Sequence, residues 1–185
     1  MSRIRITGGQ WRSRLVKVAE APGLRPTPDR VRETLFNWLG QDLGGWTCLD
    51  LFAGSGILGF EAASRGAEKV VFVERDQRVF QVLRQNAATL APDGAATGRL
   101  EMIAGDGVKF AASAAAAGRG FDLVFLDPPY RQGMLERSWP HVGTLCRPGG
   151  RLYVEAEAAL DPPAPWRVAR AGTAGQVHFH LLEAT

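Results

Sequence analysis

From residue 47 to residue 155, short apolar runs alternate with amphipathic stretches. This rhythm constrains the fold more than any other feature of the chain. Cys48–Phe52, Lys69–Val73, Leu100–Ala104, Phe121–Leu126 and Arg151–Glu155 read as strands. Between them lie helical segments. Ile57–Arg65 is closed by Gly66, and Gln77–Leu90 carries Val79, Phe80, Leu83 and Leu90 at helical spacing. A short alanine-rich helix covers 108–117, and Met134–Leu145 is expected to be interrupted or restarted at Pro140. Strands joined by helices through short connections predict a mostly parallel sheet covered on both faces. After Pro162, Pro163 and Pro165, Trp166–Arg170 and Gln176–Leu182 read as a hairpin at the sheet edge. The expectation is therefore an α/β, Rossmann-like fold with a seven-stranded, mostly parallel sheet, its last strand antiparallel.

The first 40 residues follow a different pattern. Residues 3–7 and 14–19 read as two strands joined by Gly8-Gly9-Gln10-Trp11-Arg12-Ser13. Thr27 suits a helix N-cap and Pro28 the first helical position. Val31, Leu35, Trp38 and Leu39 then share a face, and Gly40 ends the helix. Two parts are expected: a hairpin-and-helix extension over 1–40 and a main domain over 41–185. The extension is basic. Residues 1–32 hold eight Arg and Lys against Glu20 and Asp29, a balance of +6 in a chain of net charge +3. A basic end on a slightly acidic body points to a polyanion partner. Arg3, Arg5, Arg12, Arg14, Arg25 and Arg30 are the candidate contacts. Trp11, at or near the tip of the loop, has two readings: folded back on the core, or stacked on nucleic acid beside the arginines.

Hydrophobic residues at 45% and charged residues at 22% exclude wholesale disorder. No apolar run approaches the roughly 20 residues that span a bilayer. Met-Ser-Arg-Ile-Arg-Ile places charge where a signal peptide is apolar, so a soluble, unexported, cytoplasmic chain is expected, monomeric by default. Cys48 and Cys146 lack a metal-ligand spacing, and His141, His178 and His180 form no familiar ligand set. No metal is expected.

Chemistry-bearing residues stand where the strands end. Asp50-Leu-Phe52-Ala-Gly54-Ser55-Gly56 leaves the first strand of the rhythm and opens a helix. Its glycines admit a ligand close to the backbone, and ligands of open parallel sheets sit at the carboxyl ends of the strands. A carboxylate ahead of the glycines repels a pyrophosphate and attracts an amino group, which favours S-adenosylmethionine over a dinucleotide. Glu74, with Arg75 after it, ends the next strand, where an acid can accept from ribose hydroxyls. Asp106 follows the third strand beside Gly105 and Gly107 and can take the adenine amine. Each acid alone could equally cap a helix or carry a solvated charge.

Asp127-Pro128-Pro129-Tyr130 follows the fourth strand. Two prolines fix an extended turn and remove N–H donors. The Asp127 carboxylate and Pro128 carbonyl are left as convergent acceptors for a planar NH₂, beside the cofactor. Tyr130 offers a face for a flipped-out base. Asp127 or water takes the released proton.

The loop at 50–56, Glu74, Asp106 and the Asp127–Tyr130 tetrapeptide resemble class I S-adenosylmethionine methyltransferases that act on exocyclic amines. Arg3–Arg12, Arg25–Leu39 and Leu49–Ala67 resemble the bacterial RsmD family over about residues 3–155, with the likeness weakening in the tail. Ser13 departs from it, since the family pattern carries glycine after Trp-Arg. The resemblance implies methylation of guanine N2 in 16S ribosomal RNA, within the small subunit or an assembly intermediate; the residues leave open whether naked RNA also serves. It implies Asp50, Gly54, Gly56, Glu74 and Asp106 for the cofactor and Asp127, Pro128 and Tyr130 for the base. Two rivals share these features: a DNA adenine-N6 or cytosine-N4 methyltransferase, and a non-catalytic RNA-binding or assembly protein. The first normally needs a larger base-reading module, and the second has no use for intact acids and Tyr130.

Overall fold

The computed structural model describes residues 1–185. In chain order the elements are β1 (Ser2–Arg5), β2 (Leu15–Val18), α1 (Asp29–Leu39), β3 (Thr47–Asp50), α2 (Ile57–Ser64), β4 (Lys69–Glu74) and α3 (Gln77–Leu90). Then follow β5 (Leu100–Ala104), α4 (Gly107–Ala116), β6 (Phe121–Leu126), α5 (Met134–Leu145), β7 (Cys146–Ala156), β8 (Trp166–Ala174) and β9 (Val177–Ala184). Seven strands form one sheet in the order β5-β4-β3-β6-β7-β9-β8, with β1 and β2 paired separately. β3 to β7 run parallel; β9 enters antiparallel between β7 and β8. No helix is long and apolar enough to cross a membrane.

Alternation along the strands divides the core. Cys48, Val70, Phe72, Leu123, Phe125 and Tyr153 face one side, with α1, α2, α3 and the hairpin. Leu49, Val71, Val73, Val124, Leu126 and Val154 face the other, with α4 and α5. Every residue of α2 is buried, Glu61 and Ser64 included, because the helix is enclosed on all sides. One side of it lies on β4, where a Cβ at Gly59 would meet the Phe72 ring at 2.3 Å. That contact requires glycine, the same close helix–strand approach that the last glycine of a dinucleotide loop permits. The hairpin covers another side. Gln10 N–H donates to Ser64 O at 2.7 Å, Trp11 N–H donates to Ser64 Oγ at 2.8 Å, and Ser64 Oγ donates to Gly8 O at 2.6 Å.

The extension therefore shares the core of the main domain. Trp11 is 5% exposed inside it. Burying a large side chain stabilises by roughly 3 kcal/mol, at least as much as a stacked base returns, about 1–3 kcal/mol, so the core reading of Trp11 holds. α1 is joined by charge as well. Glu61 on α2 receives the Arg32 and Arg65 guanidiniums, both out of solvent, and the Thr7 N–H. Arg65 also lies 4.0 Å from the Phe36 ring centroid.

Several local expectations are corrected. Thr27 does not cap α1; Pro28 takes the N-cap position with no side-chain hydrogen bond. The Thr27 hydroxyl is used elsewhere, on Glu155. α5 runs through Pro140 without interruption. β7 begins at Cys146, and Pro148-Gly149-Gly150 forms an irregularity inside it, because Phe121 pairs with Cys146 and Leu123 with Arg151. The tail strands are longer than their apolar runs, because backbone pairing continues past the last buried side chain.

Candidate active site

The strand order reverses between β3 and β6, and the candidate residues gather at that edge. Asp50 closes β3 and pairs in register with Phe125 of β6, which pairs with Tyr153 of β7. Two residues further along, on the same face, come Asp127 and Glu155. One patch of sheet thus presents Asp50, Asp127 and Glu155 over Phe125 and Tyr153, whose rings meet edge-on at 6.1 Å.

Asp50 is 2% exposed, and its Oδ2 accepts the Gly59 N–H at 3.0 Å. Burial pushes its carboxyl up to about 7 against that hydrogen bond, and Glu74 and Glu155 raise it further. Between Asp50 and α2 the loop turns through Gly56, whose φ of 82° is left-handed and caps the helix. Ser55 is buried, with Oγ accepting Ile57 N–H at 3.3 Å, and Phe52 is half-buried. Glu74 holds the loop: Oε2 accepts Gly54 N–H at 2.9 Å and Oε1 accepts Asp76 N–H at 2.8 Å. Each oxygen keeps a lone pair for a ligand hydroxyl. Asp106 caps α4 by accepting Lys109 N–H at 2.9 Å, and Gly107 is the first residue of that helix. The space beside Gly105 is open. Exposed Arg75 reaches from the end of β4 to Gln132 Oε1 at 2.8 Å, bridging to the loop after Tyr130.

This donor set fits S-adenosylmethionine. A buried carboxylate near the glycine loop, a half-buried acid at the next strand end and a third beside an open backbone match an amino group, two ribose hydroxyls and an adenine amine.

The acceptor side is built from the Asp127–Tyr130 turn. Asp127 is half-buried and Pro128 buried, while Tyr130 is 40% exposed. Burial raises the Tyr130 phenol to about 12, with Asp127, Glu155 and Glu157 adding to the rise and Arg25 opposing it. The Asp127 carboxyl is raised well above the carboxylate range by burial, then by the Glu155 and Asp50 charges. Glu155 is 5% exposed, with Oε1 accepting from Thr27 Oγ1 at 2.5 Å and from Tyr153 OH at 2.9 Å. Burial raises it too, against those hydrogen bonds. Sequence reasoning took Glu155 only as a strand end and Thr27 only as a cap. The available signal was the repetition itself: Glu155 is one more acid at the end of one more parallel strand.

The arginines separate into two kinds. Arg3, Arg5, Arg12, Arg25 and Arg30 are exposed and engaged in no ion pair. Arg3 pairs across the hairpin with Lys17, and Arg5 lies two residues on, so the three share a face. Arg14 instead spends its guanidinium on the last carbonyls of α3, Leu90 O at 3.1 Å and Thr89 O at 2.7 Å.

Comparison with known proteins extends these observations. The model of the family described as conserved hypothetical protein 95 matches residues 4–183. The ribosomal RNA small subunit methyltransferase D of Escherichia coli K12 is 42% identical, over 98% of this chain and 90% of that protein. Its namesake from Haemophilus influenzae is 40% identical, over 97% and 93%. A solved structure from Escherichia coli superposes with a TM-score of 0.84 at 41% identity, covering 99% of this chain and 98% of that one. A SAM-dependent methyltransferase from Agrobacterium tumefaciens, 21% identical with a TM-score of 0.63, shares the fold over 78% of this chain and 50% of its own. The likeness reaches residue 183, so the tail belongs to it as well.

Proposed function

The chain belongs to the family described as conserved hypothetical protein 95, and from that premise we propose that it transfers a methyl group from S-adenosylmethionine to the exocyclic N2 amine of a guanine in 16S ribosomal RNA. The observation that carries this reading is the Asp127-Pro128-Pro129-Tyr130 turn beside buried Asp50 at the strand-order reversal, in a chain similar along its length to small-subunit rRNA methyltransferases.

S-adenosylmethionine would supply an electrophilic methyl group. Asp50 would hold its amino group, Glu74 its ribose and Asp106 its adenine amine, with Gly54, Ser55, Gly56, Phe52, Arg75 and Gly107 shaping the walls. Asp127 and the Pro128 carbonyl would accept the two amine hydrogens and aim the nitrogen lone pair along the line of transfer. An exocyclic amine is a weak nucleophile, because its lone pair is delocalised into the ring. Orientation and exclusion of water are therefore the main contributions required of the protein. The Tyr130 ring, exposed beside Asp127, would stack on the extruded base. Arg3, Arg5, Arg12, Arg25 and Arg30 would neutralise RNA phosphates. With so little surface for reading sequence, an assembled small subunit is the substrate that supplies specificity, and a monomeric cytoplasmic enzyme suffices.

The test is nucleoside mass spectrometry after incubation with labelled S-adenosylmethionine. Small subunits lacking the modification are compared with free 16S RNA and with DNA. Labelled N2-methylguanosine from subunits is expected. Label in DNA as N6-methyladenine or N4-methylcytosine would replace this reading, and no label with cofactor binding intact would overturn the acceptor.

A further inference from the structure

Glu155 is buried, acidic and unused by the reaction as described above. Leu126 of β6 pairs with Val154 of β7, so Asp127 and Glu155 are the next residues on adjacent parallel strands, and their side chains emerge on the same face. Oε1 of Glu155 is occupied by two hydroxyl donors, Thr27 from the extension and Tyr153 from its own strand. Thr27 is fixed in turn, because Arg32 Nε donates to its carbonyl at 2.9 Å and Arg32 is anchored on Glu61. Glu155 is thus held rigidly from behind, with its carboxyl group against that of Asp127. Two neighbouring carboxylates, one buried and one half-buried, resist ionising together; a proton between them turns repulsion into a hydrogen bond.

We propose that Glu155 is a positioning residue for Asp127: it holds the Asp127 carboxyl through one shared proton, keeps the other Asp127 oxygen aimed at the amine, and takes the shared proton when Asp127 receives one from the substrate. The proposal rests on the methyl-transfer reading. In the step, the N–CH₃ bond forms and the S–CH₃ bond breaks with its electron pair going to sulfur. The amine N–H proton passes to the free oxygen of Asp127, while the shared proton moves from Asp127 to Glu155. The pair goes from one proton to two and returns one to water after product leaves. The methylated aryl ammonium is a far stronger acid than a carboxylic acid, so the transfer runs downhill.

The groups facing the pair are Asp50 from β3, Tyr153 from β7, Tyr130 beyond β6 and Thr27 from the extension, with Glu157 and Arg25 beside Tyr130. Carboxylates outnumber cations there, which favours a proton on the pair. Burial raises each carboxyl, and the Glu155 charge raises Asp127 further.

The test combines two measurements on the full-length protein. Carbon-13 carboxyl NMR of the free protein reads the proton. Asp127 and Glu155 are expected to titrate together, and Asp127 is expected to fall to one lower step in Glu155→Gln. Single-turnover methylation of small subunits against pH reads the role. Wild type is expected to show two limbs: an acid limb where the pair is neutral, and an alkaline limb where the lost proton leaves two charges that drive Asp127 out of place. Glu155→Ala is expected to lower the rate about 100-fold with S-adenosylmethionine affinity within about threefold. Glu155→Gln, which still donates to Asp127, is expected to restore most of the rate but to lack the alkaline limb. Tyr153→Phe, a milder change, is expected to move the acid limb upward by about one pH unit. Independent carboxyl titrations, a wild-type rate in Glu155→Ala, or an alkaline limb retained in Glu155→Gln each overturn the proposal. Joint titration without any N2-methylguanosine from wild type would uphold the shared proton and overturn the acceptor reading.

Discussion

Thr27 Oγ1 lies 2.5 Å from Glu155 Oε1, although 128 residues separate them in the chain. The bond connects the segment ahead of α1 to the end of β7, and through Glu155 to Asp127. It makes the extension part of the wall of the candidate site. Arg25, two residues before Thr27, is set near Tyr130 by the same connection. Arg25 and Tyr130, proposed above to meet an RNA phosphate and the base, are thereby brought near each other from distant parts of the chain.

Thr27→Val tests that connection. The substitution keeps the shape and deletes the donor. A hydrogen bond to a charged, buried acceptor contributes about 1.5–3 kcal/mol, so urea unfolding is expected to show a loss in that range. Turnover should fall while S-adenosylmethionine affinity, measured by calorimetry, stays near wild type. Unchanged stability would mean that Glu155 is held by Tyr153 alone.

Glu61 carries a larger share of stability. It receives Arg32 and Arg65, whose side chains are 0% and 2% exposed. Glu61→Ala leaves buried Arg65 without an anion and Arg32 with Asp29 alone, and breaking such a buried network costs about 3–5 kcal/mol. Chemical denaturation is the measurement. A loss below about 1 kcal/mol would show that water enters and solvates the guanidiniums.

The sheet, the strand-end acids and the Asp127–Tyr130 turn were legible because each follows from local signals. Strands announce themselves by apolar runs, and the site of a parallel sheet lies where those runs stop. Thr27 and Glu155 were misread for a physical reason: Thr before Pro at a helix start is a good cap by local chemistry. Only tertiary pairing shows that its hydroxyl has a stronger acceptor 128 residues away. Trp11 stayed ambiguous because a tryptophan among arginines suits both a core and a stacking surface, until Ser64 was seen holding its backbone. Arg14 looked like its neighbours in sequence, and only the position of the α3 C-terminus sets it apart.

Ser13 has φ 69°, in the left-handed region, with its N–H donating to Ile6 O at 2.9 Å. A residue with a Cβ costs about 1–2 kcal/mol there, and glycine returns about 0.5–1 kcal/mol of that as backbone entropy. Ser13→Gly is therefore expected to raise stability by roughly 0.5–1 kcal/mol, a small upward shift of Tm in a thermal melt. A lower Tm would show that the serine side chain makes a compensating interaction.

Asp50 links stability to pH. Its carboxyl titrates near about 7 in the folded chain and near the ordinary aspartate value, about 3.9, when unfolded. Between those limits the folded state binds more protons than the unfolded state, so stability falls as pH rises through the window, by about 4 kcal/mol in all. Asp50→Asn keeps an acceptor for Gly59 N–H and removes the titration. Its advantage over wild type should be absent near pH 4, grow towards pH 7 and then level off in urea titrations. A constant difference would mean that Asp50 is ionised throughout. Where Asp50 is protonated, a cationic amino group binding there should displace the proton. Calorimetry of S-adenosylmethionine at pH 6.5 in two buffers of different ionisation enthalpy should then show proton release in wild type and none in Asp50→Asn.

The arginine face gives the last prediction. Arg3, Arg5 and Arg12 are exposed and free of ion pairs, whereas Arg14 is tied to Leu90 O and Thr89 O. Each phosphate neutralised adds about 0.7–0.9 to the slope of log affinity against log salt. Replacing Arg3, Arg5 and Arg12 together with Gln should weaken binding to small subunits and reduce that slope by roughly 2, with stability near wild type. Arg14→Gln should do the reverse. It should leave the slope almost unchanged and lower stability by about 1 kcal/mol, because two carbonyls at a helix C-terminus lose a cationic donor. Filter-binding titrations at several salt concentrations, paired with thermal melts, separate the two cases. An equal slope change from Arg14→Gln would mean that its guanidinium leaves α3 when RNA arrives. An unchanged slope in the triple variant would move the RNA path away from the hairpin.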